Sequence, residues 1–486
     1  MADSEHVAHL MRRAGFGATP ADLARFEATP LSEVVDYLVD YDRLPDDVDS
    51  KIGQSAYVGV TASGPFSPHT NIDHARQRWL FRMVHSQRPL QEKMTLFWHN
   101  HFATAYTKLA GGVGPILGTK MMTHTRGALP GPPGQIELLR QYALDSFQTL
   151  LFEIARDPAM VVWLDGRTNF RARPQENFAR EIMELFTWGV GNYTEQDVYA
   201  AARVFTGWNL SPRLGGANNN DPNAYHEFFF NPNQHDTSAK SFTFPIYRDG
   251  GKTIPARSAA DGLRDGMDFV AALAAHPETA RRLARKLWGF FISEMESPDP
   301  RFVDAVASEY LANDTRMKPV VRYIFRSPWM LENSYRWTRY SWPTEYVARA
   351  IREVGWNGFS VDAARTPLAN MGQTLFEPPD VAGWSLGGEW ISTGSMLARM
   401  NFAATLASNQ RFNLSRAAAA ASRTPEELMG FFLSRLSPAP IDSVPNSALM
   451  TYLQAGATWP ANDAQLLAKS AGLTKLLIGS SEYQFI

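Results

Sequence analysis

The sequence has no cysteine in 486 residues, and that absence removes several chemistries at once. Disulfides, cysteine-ligated zinc, iron–sulfur clusters and a thiol nucleophile are all excluded. The compartment stays open, because a cysteine-free chain also suits an oxidising periplasm. No run approaches the roughly 18 consecutive apolar residues of a transmembrane helix, so a soluble chain without a membrane span is expected. An excess of charge is missing too: 47 Lys and Arg stand against 49 Asp and Glu, a net charge of −2. That balance offers no basic patch for nucleic acid and no polybasic run for a membrane surface. The opening MADSEHVAHLMRRAGFG has neither the apolar core nor the small-residue cleavage site of a secretory signal. There is no glycine-rich phosphate loop, dinucleotide fingerprint, HExxH or GxSxG, which argues against nucleotide-dependent chemistry, zincin proteolysis and α/β-hydrolase catalysis.

What is present is ordinary globular composition, 44% hydrophobic and 20% charged, with an aromatic share of 12% that points weakly to a sugar- or peptide-binding groove. Helical periodicity dominates the chain. The expected fold is mainly α: one large domain over residues 1–486, some fifteen to twenty helices, with a small β insertion. Short helices are expected over residues 4–45, and an exposed loop over 46–70. Long helical patterns follow from Thr70 to Ser86 and from Arg88 to about Thr104, the second begun by Pro89. The glycine-rich stretch 111–134 reads as a loop that could cover a cleft. Residues 135–156 read as one long amphipathic helix.

The richest stretch is RPQENFAREIMELFTWGVGNYTEQDVYAAARVFTGW, residues 173–208. It is expected to be helical until Gly189, with Phe178, Ile182 and Leu185 on an apolar stripe and Asn177, Glu181, Glu184 and Trp188 on the adjoining one. Two carboxylates one turn apart at the border of a core can share a cation or hold one proton between them. The bland reading, a solvated charged face, carries more weight from spacing alone. Arg180 points further round, and Thr194 begins a second helix. Residues 209–256 read as a β-rich insertion in which YHEFFF and KSFTFPIY form strands around NPNQHDTSA. His235 and Asp236 at its tip offer an imidazole beside a carboxylate, although Asp236 in an Asx-turn is the plainer reading. On the Pro89 helix, His101 shares the apolar face, while His99 points about 200° away. HNH is therefore a metal pair only if the helix breaks at Asn100. Asp165 lies on the polar run leading to the central helix, and His9 and Arg13 sit one turn apart on the first helix. Residues 376–393, FEPPDVAGWSLGGEWIST, form a Pro/Gly/Trp-rich excursion beside a possible cleft.

Several stretches resemble a bacterial family catalogued as domain of unknown function 1800: HLMRRAGFGATPADL, EKMTLFWHNHFATAYTK, DPAMVVWLDG, ENFAREIMELFTWGVGNYTEQDV, AARVFTGW, HDTSAKSF, HPETARRLARKLWGFF, LFEPPDVAGW and LARMNF. They span nearly the whole chain in order. The resemblance implies an exported or cell-envelope protein, often encoded beside a second protein with a twin-arginine signal, whereas this chain shows no signal of its own. His9, Arg12, Arg13, His99, His101, Asn177, Arg180, Glu181, Glu184, His235 and Asp236 all lie within the family's recurrent blocks.

The leading functional expectation is a metal-dependent hydrolase of an extracellular or envelope polymer, a glycan or a peptide. Glu181, Glu184, His101, His99 and His235 would bind Mn, Fe, Cu or Zn, with a bound water as nucleophile. Asp236 and Glu184 would serve the chemistry and Arg180 would hold a charged group. Asn177, Trp188, Arg13 and Asp165 are the substrate-binding candidates. An oxygen-using iron or copper enzyme stays open. One alternative is a metal-free carboxylate glycoside hydrolase, whose second carboxyl would come from Asp165 or Asp236. The other is a non-catalytic envelope binding or assembly protein, in which such residues close into salt bridges, for instance Glu181 with Arg13.

Overall fold

A computed structural model describes residues 4–214, 220–419 and 424–486. Among these residues there are 24 α-helices and two small antiparallel sheets of two strands each. The protein is thus mainly α with a small β insertion. A continuous hydrophobic cluster runs from Val7 to Tyr483, so N- and C-terminal helices share buried surface with the middle of the chain. Among the described residues, no helix is long and apolar enough to cross a membrane.

Local chemistry sets many helix starts. Thr19 and Asp22 form a reciprocal capping box ahead of the Pro20–Phe26 helix, and Thr194 does the same with Asp197 ahead of Glu195–Val204. Proline occupies the first turn of Pro89–His101, Pro277–Phe291, Pro300–Ala312 and Pro343–Val354, where its missing N–H costs nothing.

Helices outnumber the expected fifteen to twenty because some segments divide or fold where loops were expected. Residues 135–156 give two helices, Gln135–Gln141 and Phe147–Ala155, since Ser146 caps the second by accepting from the Thr149 amide. The Phe147 amide donates instead to the Thr315 carbonyl at 2.9 Å, which diverts the chain at the junction. Much of the expected loop 111–134 is helical, as Pro115–Thr123. Its Gly118 serves close packing, for a Cβ there would lie 3.0 Å from the Ala110 nitrogen.

Pairing in the insertion also differs from the expectation. YHEFFF does not pair with KSF; Tyr225–Phe230 pairs with Trp208–Arg213, Trp208 opposite Phe230. Lys240–Ser241 pairs with Thr253–Ile254. Trp208 explains the first choice: it is buried against Phe228, Phe205 and Phe152, so its strand brings the sheet to the helical core.

Candidate functional site: a lysine cavity at the end of the Pro89 helix

The Pro89–His101 helix is continuous through Asn100, so its last three residues leave in different directions. Each meets a different part of the chain. His99 Nε2 accepts the Phe376 amide at 3.2 Å, and its ring packs against Trp79, Phe376 and Trp384. Burial alone holds this imidazole neutral, with its pKa lowered to about 3. His99 thereby positions Phe376, whose backbone lies in the left-handed region at φ 65°.

Asn100 clamps the following turn reciprocally. Its Oδ1 accepts the Trp384 amide at 2.6 Å and its Nδ2 donates to the Trp384 carbonyl at 3.3 Å. Glycine is required between them: a Cβ on Gly383 would stand 2.3 Å from Asn100 Oδ1, and its φ is 89°.

His101 turns to the opposite side. Its Nε2 donates to the Phe186 carbonyl at 3.0 Å, which leaves Nδ1 as an acceptor. Lys286 Nζ, from the Pro277–Phe291 helix, donates to that Nδ1 at 3.0 Å. Burial first, and the charge of Arg282 second, lower the Lys286 pKa to about 7. Among the described residues no carboxylate pairs with this amine. Desolvation first, then Lys286 and Arg282, hold the His101 pKa well below its ordinary value.

These groups line a cavity of about 190 Å³. Phe97, Phe290, Trp342 and Trp384 supply aromatic walls, while Asn100, His101 and Lys286 supply polar atoms. Trp342 is fixed by donating its indole N–H to Glu294 at 2.9 Å. Leu386 is 44% exposed at the rim and reaches over Gly289, where a Cβ would lie 3.2 Å from its methyl. The arrangement is a mostly apolar cavity with one convergent amine, held in place from both sides by buried hydrogen bonds.

The central carboxylates lie close to this region along the chain without joining the amine. Their helix, Glu176–Glu184, ends before Trp188, because the Leu185 and Phe186 amides both turn back to the Glu181 carbonyl. Trp188 therefore leaves the helical stripe and packs edge-on to Phe244 and His276. Glu181 is half-buried, and burial together with Glu184 raises its pKa. Among the described residues its carboxylate forms no hydrogen bond or ion pair, so the expected pairing with Arg13 does not occur. Glu184 accepts the Tyr193 hydroxyl. Arg282 donates to the Leu185 carbonyl at 3.3 Å and links this turn to the Lys286 helix.

Other candidates are engaged elsewhere. Arg13 donates to the carbonyls of Phe291, Ile292 and Tyr335, capping the end of the lysine helix. Arg180 pairs with Glu195 at 2.8 Å, and Asn177 donates to Asp165 at 3.3 Å on the surface. His235 has Nδ1 on the Thr206 carbonyl at 2.9 Å and Nε2 on Asp265 at 3.2 Å, so neither nitrogen is free. Asp236 is held by Arg203 at 2.7 Å, far below the usual carboxylate range, which makes it a weak base.

Among the described residues, no three His, Asp or Glu side chains stand together as a cage for a metal ion. The donors expected from the sequence face different neighbours and do not fit one ion. Lys286, Asn100, Trp342 and Trp384 were not named as site candidates from the sequence. The signal for Lys286 was weak: a lysine placed toward the core of an amphipathic, arginine-rich helix.

No curated protein and no solved structure matches the chain. It does match, over residues 9–485, the family described as Protein of unknown function (DUF1800).

Proposed function

The chain belongs to the DUF1800 family, and we propose that it is an enzyme whose working group is the neutral amine of Lys286, acting on a carbonyl compound that enters the aromatic cavity. One observation carries this reading: the amine faces a cavity, has His101 as its hydrogen-bond partner and lacks a carboxylate among the described residues. A lysine that serves structure usually ends on an anion or on carbonyls. This one is kept partly deprotonated near neutral pH and aimed by an imidazole of fixed tautomer.

In the step proposed, the amine nitrogen attacks the carbonyl carbon. A proton moves to the carbonyl oxygen, and loss of water from the carbinolamine leaves an imine. His101 Nδ1 takes one N–H bond and so orients the lone pair; it is a positioning residue. Trp342, Trp384 and Phe97 exclude water from the collapsing adduct. Hydrolysis of a polymer, the leading expectation from sequence, would here need Lys286 to act as a base toward water.

Reductive trapping separates the two. The protein is incubated with glycolaldehyde or pyruvate and cyanoborohydride across pH 6–9, then mapped by peptide mass. Preferential adduct at Lys286, with a rate midpoint near pH 7 and loss in Lys286→Met, is the expected result. Adducts spread evenly over exposed lysines would sink the proposal.

A further inference from the structure

A second cleft, of about 280 Å³, lies against the start of the Pro158–Trp163 helix, walled by Pro132, Leu138, Tyr142 and Phe228. That volume sits near the small end of ligand sites, roughly 300–1,000 Å³. Asp157 forms part of its lining and is itself 1% exposed. The two oxygens of this carboxyl are unequal. Oδ2 accepts the Met160 amide at 3.0 Å and the Gln135 side-chain amide at 3.0 Å, and the Ala159 amide also acts on the carboxyl, whereas Oδ1 has no hydrogen bond of good geometry among the described residues. A buried oxygen without a donor is costly, and a proton placed on Oδ1 turns it into a donor that needs an acceptor.

The charged neighbours are consistent with a ligand supplying that acceptor. Glu153, one turn back, is neutralised by Arg156, whose Nε donates to it at 3.1 Å. Arg126 lines the cleft, is exposed, and has no ion pair among the described residues. Tyr142 lies close enough to feel Glu153, Arg156 and Arg126. One positive charge is therefore left over in the cleft that Asp157 also lines.

We propose that this cleft binds a small hydroxylated carboxylate of sugar-acid size, its anion on Arg126 and an acceptor oxygen on the Asp157 carboxyl. This site is independent of the Lys286 reading. Burial raises the Asp157 pKa to about 7, with Glu153 adding to the effect, so the donor is present below neutrality and lost above it. Ionised Asp157 would place a second anion beside the ligand.

The probes are methyl β-D-glucuronide and methyl β-D-glucoside, which carry no free aldehyde and so cannot react at Lys286. Titrations by calorimetry at pH 6 and pH 8 should show the glucuronide binding, about tenfold more weakly at pH 8, the change expected when binding requires a proton held with a pKa near 7. The glucoside should bind at least ~10-fold more weakly than the glucuronide at pH 6, the loss of one charge-assisted contact. Arg126→Gln should remove the preference between the two. Asp157→Asn keeps both an N-cap acceptor and a donor, so it should fold, bind, and lose the pH dependence. Failure of the glucuronide to bind, equal binding of both glycosides, or an unchanged pH dependence in Asp157→Asn would each overturn the proposal.

Discussion

Two charged regions of this protein lie at opposite ends of the Pro89–His101 helix and are built in opposite ways. At the start of Pro89–His101, Glu92 is fully buried, and its two oxygens accept four bonds, from Trp79, Arg82 and twice from Arg140. Arg82 continues to Asp49 at 3.0 Å and Asp46 at 2.7 Å, and Arg78 joins Asp49 to Glu137. Every charge there has an opposite partner. At the other end, Lys286 meets an imidazole and a cavity. Complete pairing is what a buried charge needs to survive as structure, so the closed network reads as scaffold and the open amine as a site.

The largest test breaks the closed end. Glu92→Gln leaves three guanidinium or indole donors around a neutral amide, and a cost of about 3–5 kcal/mol is expected for stranding a buried charge. Urea unfolding measures it. A loss under about 1 kcal/mol would mean that water reaches this network and that its closure is not structural.

Acid should find the same end first. The pKa values of Glu92 and Asp49 are held below their ordinary values. Burial acts against this and is outweighed by the surrounding arginines. The folded state thus binds those protons less readily than the unfolded chain. The stabilisation is complete above the ordinary carboxylate range and is lost progressively as pH falls from that range towards the lowered folded values. Melting between pH 3 and 7 should show stability falling towards acid, and Glu92→Gln should flatten that fall.

The open end should respond weakly and with a different pH dependence. Lys286→Met removes an amine that has no anion among the described residues and whose desolvation opposes folding at neutral pH, so the variant should be at least as stable as the wild type at pH 7. Wild-type Lys286 has a folded pKa near 7 against an ordinary 10.5, so between those values the unfolded chain holds the proton that the folded chain has released. Its contribution to stability therefore rises with pH across that window, and the methionine variant should lose the rise. A large loss of stability in Lys286→Met would make the amine scaffold and remove the contrast.

How far the sequence disclosed this depends on range along the chain. The helix begun by Pro89 was legible because a first-turn proline acts within one turn. The opposed directions of His99 and His101 followed from helical spacing, given a helix unbroken at Asn100. The pairing of Tyr225–Phe230 was not legible, since its partner is selected by where Trp208 finds the core. Lys286 was hidden for a related reason: what marks it is a partner that is missing, and no stretch of sequence states that. Asp157 is similar. Its cap to Met160 is local, while its free oxygen is a property of everything packed around it.

The smallest expected effect concerns the carboxylates that looked most like chemistry. Glu181 and Glu184 are three residues apart on one helix, but Glu184 is tied to Tyr193, and the histidines expected to complete a metal cage face Phe376, Phe186 and Asp265. Two carboxylates on an otherwise donor-poor face hold a divalent ion loosely, because tight sites surround it with several more ligands. Elemental analysis of protein purified without chelator or a polyhistidine tag should therefore give the same Mn, Fe, Cu and Zn content for wild type and for folded Glu181→Ala/Glu184→Ala. Near-stoichiometric metal that disappears in the double variant would move the site to the carboxylate helix. Lys286 would then become a neighbour of the chemistry, and the contrast between a closed network and an open amine would no longer locate function in this fold.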